Sequence, residues 1–288
     1  MSPGEFDLSA RLTDLLVYPV KSCAGVSLRE AVLTDQGLDL DRLWMVVDEA
    51  GDFVTQRELP RMVLIQPRVR IADVVLRAPG MLALHLALEQ AEAPCRVRIW
   101  GEEFPAYDMG AVAAQWFTDF LGRKLRLVRF DPEVQRLASA RWTGGVEAAN
   151  AFSDGFPLLV ASEASLAELN ARLAAQGRAP VSMARFRPNI VLGGIEAQDE
   201  DRAGELHIAT APGEHVVLRP VKPCPRCPIP NIDPGTAAVD PIVSDTLQAY
   251  RRNPIVDGAV SFGMNAIALQ GVGQTLRVGQ DVGLRLAF

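Results

Sequence analysis

The chain has 288 residues, 49% of them hydrophobic and 22% charged, and 35 acidic against 29 basic side chains give a formal charge of −6. This composition is typical of a soluble globular protein and excludes a disordered or fibrous one. The acidic balance argues against a nucleic-acid partner or an anionic-membrane binder, and four cysteines are too few for a disulfide scaffold of this length.

The N-terminus predicts no signal peptide, because no basic segment precedes an apolar one. The longest apolar stretch, residues 74–88, is too short to span a bilayer and is interrupted by Arg77, Pro79, Gly80 and His85. We therefore expect a cytoplasmic protein with reduced thiols and no membrane span.

The first part of the chain predicts short strands separated by turns, a spacing typical of a barrel or sandwich. The predicted strands are residues 12–20, 43–48, 53–56, 74–77, 81–86, 95–100 and 125–130. One helix is predicted at about residues 111–121, where Asp108 can cap it and Gly122 ends it. The first part is therefore mainly β.

The segment 131–155 shows little periodicity, and a loop of this length is either a linker or a functional flap. We place a domain boundary here, which gives one domain at residues 1–130 and a second at residues 131–288. The fold class expected for the whole chain is α+β, predominantly β.

The second part again predicts strands, with two helices between them. Ser162 caps a helix that runs to about residue 175, and a shorter helix is predicted at residues 244–252. The predicted strands are residues 158–161, 189–192, 206–210, 215–219, 266–270, 276–278 and 282–287.

The segment Lys-Pro-Cys-Pro-Arg-Cys-Pro at residues 222–228 is the first candidate for chemistry. Cysteine thiolate is a soft metal ligand and a nucleophile, and Arg226 would favour the thiolate of Cys227 by its charge. Three alternatives stay open. A structural zinc site would need a second pair of ligands, which is not present beside this segment. A thioredoxin-like redox pair would need a helix after it, which the following prolines disfavour. Two packed thiols in a turn would need neither the extra ligands nor the helix.

Two further segments carry cations in places where a ligand would explain them. Lys21 and Ser22 end the first predicted strand and could hold a phosphate, although a solvated turn lysine is the simpler alternative. Arg42 opens an otherwise apolar strand, which is unfavourable for a guanidinium without a partner. An ion pair with Asp39 or Asp41 would provide one.

Arg187 and Asn189 stand two residues apart at the start of a predicted strand, so both side chains fall on one face. An arginine fork beside an amide suits a planar heterocycle or a phosphate. Surface charge at a strand start is the alternative interpretation.

In this order, the segments resemble a known family over nearly the whole chain. The matching segments are Tyr-Pro-Val-Lys-Ser at 18–22, Asp-Arg-Leu-Trp at 41–44, Phe-Arg-Pro-Asn-Ile-Val at 186–191 and Cys-Pro-Arg-Cys at 224–227. They are similar to MOSC-domain proteins with a MOSC N-terminal β-barrel domain, such as the mitochondrial amidoxime-reducing component and its bacterial relatives. The resemblance implies a β-barrel N-terminal domain followed by a MOSC β-barrel domain with a few short helices.

The resemblance also implies a molybdenum cofactor, a pyranopterin whose dithiolene holds molybdenum without an appended nucleotide; pyridoxal phosphate is not expected. Cys227 corresponds to the metal ligand and catalytic residue, and a thiolate suits a metal already held by sulfur. The positions that correspond to cofactor-binding residues are Lys21, Ser22, Arg42, Asp154, Gly155, Arg187, Asn189 and Arg226. Gly155-Phe156 departs from the two small hydroxyl residues of the animal proteins, so only backbone contacts can survive there.

By resemblance, the reaction is the reduction of an N–O bond in small N-hydroxylated compounds such as amidoximes, with the cofactor carrying the redox chemistry. The cysteine spacing does not match an iron–sulfur cluster, so a separate donor protein of ferredoxin or cytochrome type is implied. The alternatives are a non-catalytic module that carries the cofactor or handles its sulfur, and a thiol-redox or zinc protein that uses Cys224 and Cys227.

Overall fold

The computed structural model describes residues 6–90 and 92–287, and within these ranges the chain forms nineteen strands and five α-helices. The strands of the first half are β1 (Leu8–Val17), β2 (Val26–Leu28), β3 (Glu30–Thr34), β4 (Gly37–Leu38), β5 (Trp44–Val47), β6 (Gln66–Val69), β7 (Asp73–Arg77), β8 (Leu84–Ala87), β9 (Ala93–Ile99), β10 (Glu102–Asp108) and β11 (Arg126–Phe130). The strands of the second half are β12 (Leu158–Ser162), β13 (Ile190–Gly193), β14 (Ala203–Ala211), β15 (Glu214–Pro225), β16 (Arg252–Asn253), β17 (Ala259–Gln270), β18 (Thr275–Arg277) and β19 (Asp281–Leu286). The α-helices are α1 (Gly110–Leu121), α2 (Ala140–Thr143), α3 (Glu163–Ala175), α4 (Asp199–Arg202) and α5 (Ile242–Gln248).

Seven strands close into a barrel in the order β12-β13-β1-β19-β14-β15-β17, and β17 returns to pair with β12. Every neighbouring pair is antiparallel except β12 and β13, which run parallel. A closed barrel leaves no free edge among these strands. The interior is filled by fully buried aliphatic side chains such as Leu12, Leu192, Leu206 and Leu218.

The first strand of the chain completes a barrel that is otherwise built from strands after residue 157. β1 lies between β13 and β19, with Arg11 opposite Gly193 and Ala10 opposite Val282. Along β1, the alternation of buried and exposed side chains is interrupted between Leu12 and Leu15. The pairing register between β1 and β13 changes there, as at a β-bulge. The division of the sequence at residue 131 stays a prediction, and in space the two parts share this barrel.

The later strands of the first part pack around a second and a third core. β5, β11, β10 and β9 form an antiparallel sheet, and β6, β7 and β8 form a three-stranded one. Helix α1 contributes Phe117 and Phe120 to the second core, beside Trp44 from β5. It begins where Asp108 accepts a hydrogen bond from the Gly110 amide, and it ends at Gly122, whose φ of 72° is left-handed.

The predicted fold class is confirmed, because the described chain is predominantly β with few helices and a closed seven-stranded barrel. Helices α1 and α3 lie where the sequence placed them, and the Ser162 side chain caps α3 through the Ser165 amide at 3.1 Å. No helix in residues 6–90 or 92–287 is long and apolar enough to cross a membrane.

The strand predictions missed β2, β3, β4, β6 and β16, and they were incomplete at other places. Residues 53–56 form no strand, and only Phe53 makes an isolated bridge to Val47. β10 was not foreseen, and β15 is twelve residues long although its prediction ended at residue 219. Prolines in a sequence normally end a strand, but here register shifts beside Pro220 and Pro223 let β15 continue.

Gly263 lies where β17 passes close to β12 and closes the barrel. We therefore expect that adding one methyl group at this position lowers the stability of the protein strongly. Gly263 has a φ of 72°, and an added Cβ would lie 2.6 Å from the carbonyl oxygen of Val160 in β12. We expect Gly263→Ala to lower the free energy of unfolding by roughly 2–5 kcal/mol, from backbone strain and overpacking combined. Urea unfolding followed by circular dichroism measures this.

The matched control is Gly213→Ala. Gly213 also has a positive φ, 79°, but a Cβ there would have no neighbour within 4 Å. This substitution is expected to cost only the strain, about 1–2 kcal/mol. Equal losses in the two variants would show that closure does not depend on the close approach at Gly263.

Candidate functional site

A cleft lies beside the end of β1 and the starts of β12 and β13. It brings together all of the residues that the sequence predicted for the site. These are Lys21, Ser22, Arg42, Asp154, Gly155, Arg187, Asn189, Arg226 and Cys227. The placement is a structural finding, whereas the assignment of these residues to a cofactor stays a prediction.

The buried ring of Tyr18 organises two of the arginines. The guanidinium carbon of Arg42 lies 4.4 Å from the ring centroid and that of Arg187 lies 4.2 Å from it. The phenol donates a hydrogen bond to the Pro188 carbonyl oxygen at 3.1 Å. Burial raises the pKa of Tyr18 to about 12 despite the two nearby cations, so the phenol stays protonated and holds the ring in place.

Arg42 has the partner that its position required. Its Nη1 donates to Asp41 Oδ2 at 2.5 Å and to Asn189 Oδ1 at 3.2 Å, and its Nη2 donates to the Arg187 carbonyl oxygen at 3.2 Å. Of the two acids considered, Asp41 makes the pair, whereas Asp39 accepts a hydrogen bond from the Leu40 amide. Arg42 therefore links the end of β1 to the start of β13.

Arg187 is held beside the Tyr18 ring by a contact with the backbone. Its Nη1 donates to the Cys23 carbonyl oxygen at 2.6 Å. Burial, reinforced by the charge of Arg42, lowers the pKa of Arg187 to about 10. The guanidinium remains charged at neutral pH, and its poor solvation favours an anionic ligand nearby.

Three residues of the cleft have left-handed backbones, with φ of 68° at Ser22, 50° at Arg42 and 59° at Arg187. Such conformations are unfavourable for residues with a Cβ and persist where the surroundings enforce them. These three left-handed residues indicate that the surrounding structure holds their side chains in fixed positions at the cleft.

Lys21 and Asp154 form the main ion pair of the cleft. Lys21 is 6% exposed, and its Nζ donates to Asp154 Oδ1 at 2.5 Å and to the Phe152 carbonyl oxygen at 2.7 Å. Burial lowers the pKa of Lys21, and Asp154 partly opposes this. Burial acts to raise the pKa of Asp154, but Lys21 and then Arg57 outweigh it and bring that pKa down to about 2.

The segment before Asp154, predicted as a linker or flap, is folded around a buried arginine. Arg136 is 5% exposed, and its Nη1 donates to Asn150 Oδ1 at 2.7 Å, the Ala151 carbonyl at 3.0 Å and the Ser153 carbonyl at 2.6 Å. Three acceptors on one nitrogen fix the backbone that leads to Asp154. Sequence periodicity could not reveal this role of Arg136, because these hydrogen bonds join residues that are 14 to 17 positions apart.

The two cysteines of the Cys-x-x-Cys segment have different surroundings, and both are free thiols. Arg226 donates from Nη1 to Cys224 Sγ at 3.1 Å and from Nη2 to the Phe186 carbonyl oxygen at 2.9 Å. The guanidinium of Arg226 is therefore directed to Cys224, and its effect on the thiolate of Cys227 stays a prediction. Cys227 Sγ makes no hydrogen bond to the described residues and lines the cleft.

The side chains around the cleft fit an anionic, sulfur-bearing group. Five cations line it, Lys21, Arg42, Arg57, Arg187 and Arg226, against the single carboxylate of Asp154. The buried Nε atoms of Arg57 and Arg226 lack hydrogen-bond partners among the described residues. Phosphate oxygens are suitable acceptors for such donors, and a free thiol is a suitable ligand for a soft metal.

The described residues do not supply the donor set of a structural zinc site. In residues 6–90 and 92–287, no group of three or more His, Cys, Asp or Glu side chains is placed to hold a metal ion. Tetrahedral structural zinc normally takes four protein ligands.

Arg57 is a cleft residue that the sequence reasoning did not assign. It follows the turn after β5, and its Nη2 lies 3.8 Å from Asp154 Oδ2 while its guanidinium carbon lies 4.8 Å from the centroid of the Trp100 ring. No local pattern in the sequence places Arg57 next to Asp154, because 97 positions separate them.

Comparison with known proteins shows two family matches and several similar full-length proteins. The MOSC N-terminal beta barrel domain matches residues 9–124, and the MOSC domain matches residues 147–283. Mitochondrial amidoxime reducing component 2 of Rattus norvegicus is 36% identical over 285 residues, covering 92% of this chain and 80% of the relative. The Homo sapiens component 2 is 37% identical, covering 82% and 71%, and the Homo sapiens component 1 is 36% identical, covering 84% and 72%.

The ion pair at Asp154 predicts a pH dependence of stability. The pKa of Asp154 is lowered from 3.8 to about 2 on folding, so its contribution is present above 3.8 and is lost as pH falls towards 2. We expect Asp154→Asn to flatten the fall in unfolding free energy over this window. The effect is moderate, because the carboxylate is half-exposed and screened by solvent.

The matched control is Asp35→Asn, since Asp35 is exposed and makes no ion pair with the described residues. Urea unfolding of the three proteins across this pH window measures the effect. If Asp154→Asn and Asp35→Asn change the pH profile equally, the pair with Lys21 contributes nothing to folding.

Proposed function

Because the chain belongs to the family of MOSC-domain proteins with a MOSC N-terminal β-barrel domain, as its motifs predicted, we propose that it binds a molybdenum cofactor and reduces N-hydroxylated compounds. The observation that carries the proposal is the single cleft in which the unbonded thiol of Cys227 meets five cationic side chains. The relatives named amidoxime-reducing components support the same reaction class.

The residues of the cleft divide by chemistry in a way that suits this cofactor. Lys21, Arg57 and Ser22 offer donors for a phosphate dianion. Arg187 and Asn189 offer a guanidinium fork and an amide for the heterocycle. Cys227 offers a thiolate for molybdenum, which is already held by sulfur in the cofactor.

When bound, the cofactor supplies the two-electron chemistry that converts an N–OH group and two protons into N–H and water. The protein's own residues bind and orient it. Tyr18 keeps Arg42 and Arg187 apart and in place, and Arg136 fixes the backbone before Asp154. The partly buried surroundings strengthen each of these electrostatic contacts.

We further propose that the electrons come from a separate protein of ferredoxin or cytochrome type, because the four cysteines do not form an iron–sulfur pattern. The cytoplasmic localisation expected from the sequence stays a prediction, and the similar proteins are named mitochondrial.

The test is to purify the protein from a host that makes the cofactor, and to measure molybdenum and the fluorescent pterin released by oxidation. Benzamidoxime reduction with a chemical electron donor is then assayed. One molybdenum per chain with turnover supports the proposal. Bound cofactor without turnover supports a carrier or sulfur-handling module, and molybdenum far below one per chain overturns both.

Substituting the two cysteines separately distinguishes the metal ligand from its neighbour. Losing a partner of a metal ligand costs about 10–100-fold, so Cys227→Ser, which removes the proposed ligand itself, is expected to reduce amidoxime reduction by more than about 100-fold. Cys224→Ser loses only the contact with Arg226 and is expected to cost less than about tenfold. Steady-state rates per bound pterin measure both, and equal losses would reject Cys227 as the ligand.

Arg57 is predicted to retain the cofactor. Arg57→Leu removes one of the charged donors proposed for the phosphate, which is expected to weaken cofactor binding about 10–100-fold. The control is Arg61→Leu, because Arg61 is exposed, lies over the Phe120 ring and does not line the cleft. Pterin content after extended dialysis measures retention, and equal retention in the two variants would remove Arg57 from the site.

A further inference from the structure

Lys222 differs from the other two lysines of the chain. Lys21 pairs with Asp154 and Lys124 pairs with Glu49. Lys222 is half-buried, and among the described residues its ammonium group has no carboxylate partner. Its Nζ instead lies 4.9 Å from the centroid of the Trp142 ring and 5.9 Å from that of Phe156.

These three side chains adjoin the cleft that holds Cys227. Phe156 lines the cleft, and so does Asn265, which stands opposite Lys222 in the pairing of β15 with β17. The Asn265 amide nitrogen is 3.4 Å from the Lys222 carbonyl oxygen. Lys222 itself does not line the cleft, so it is separate from the five cations that suit the phosphate.

The chemistry of Lys222 and its two aromatic neighbours indicates which kind of ligand they would bind. Aromatic faces attract an ammonium group, and the half-buried Lys222 nitrogen stays accessible to an anionic ligand. A planar ring against Phe156 that carries a carboxylate would supply both a stacking surface and a charged acceptor for this nitrogen. Arg141, whose guanidinium carbon is 5.4 Å from the Trp142 ring centroid, adds a second positive charge and favours an anion further.

We propose that Trp142, Phe156 and Lys222 form a substrate subsite for aromatic N-hydroxylated compounds that bear an acidic group. The ring packs on Phe156, the acid pairs with Lys222, and the N-hydroxylated end remains in the cleft with Cys227. This inference rests on the proposed function, because it names the substrate class of that same site.

The test compares benzamidoxime with 4-carboxybenzamidoxime, which differ by one carboxylate. Each is titrated into the protein as purified, with its molybdenum content measured and without an electron donor, and binding is followed by tryptophan fluorescence. We expect the carboxylate compound to bind roughly tenfold more tightly, as one partly exposed charge-assisted contact allows. Added salt is expected to reduce this preference.

Lys222→Met is expected to abolish the preference, while the control Lys124→Met retains it. Lys222→Gln serves as a second variant if Lys222→Met fails to fold. With an electron donor present, either substitution of Lys222 is expected to raise KM for the carboxylate compound roughly tenfold with little change in kcat, whereas Lys124→Met leaves this KM unchanged.

Equal affinity of the wild-type protein for the two compounds would overturn the subsite, as would a preference that survives the loss of Lys222. Failure of the proposed function is read separately, from missing molybdenum or missing turnover of both compounds. The titration needs no turnover, so it reports on the subsite in either case.

Discussion

Like charges repel strongly where water is scarce, and this protein holds five cationic side chains around one cleft. The repulsion is opposed by the Tyr18 ring, by the carboxylates of Asp41 and Asp154, and by backbone carbonyl oxygens that accept from Lys21 and Arg187. Left-handed backbones at three of the site residues indicate that the fold accepts strain to keep this arrangement. An anionic ligand is the natural complement.

The closed barrel explains how residues so distant in sequence reach one place. β1 runs beside β13 inside the barrel, so the segment after β1 emerges next to the segment before β13. Arg42 then binds Asn189 across 147 residues, and Lys21 binds Asp154 across 133. The cleft therefore depends on both halves of the chain, and damage to barrel closure is expected to reach the site.

Within the cleft, the residues divide between the two proposed ligands. The cations beside Tyr18 and Asp154 suit the cofactor, and Cys227 is the thiol left open for its metal. Lys222 and its two aromatic neighbours stand outside that set and suit the substrate. A site organised in this way separates cofactor retention from substrate choice, so the two can be altered by different substitutions.

The sequence by itself determined the predominantly β class, helices α1 and α3, the family and nine of the residues that meet in the cleft. These are carried by local periodicity, helix caps and short motifs. The tertiary structure alone decided the place of β1 in the barrel, the length of β15 through its prolines, and the roles of Arg57, Arg136 and Lys222. Each of these features depends on contacts between residues far apart in sequence or on register shifts between strands. Distant contacts and register shifts leave no local pattern in the sequence.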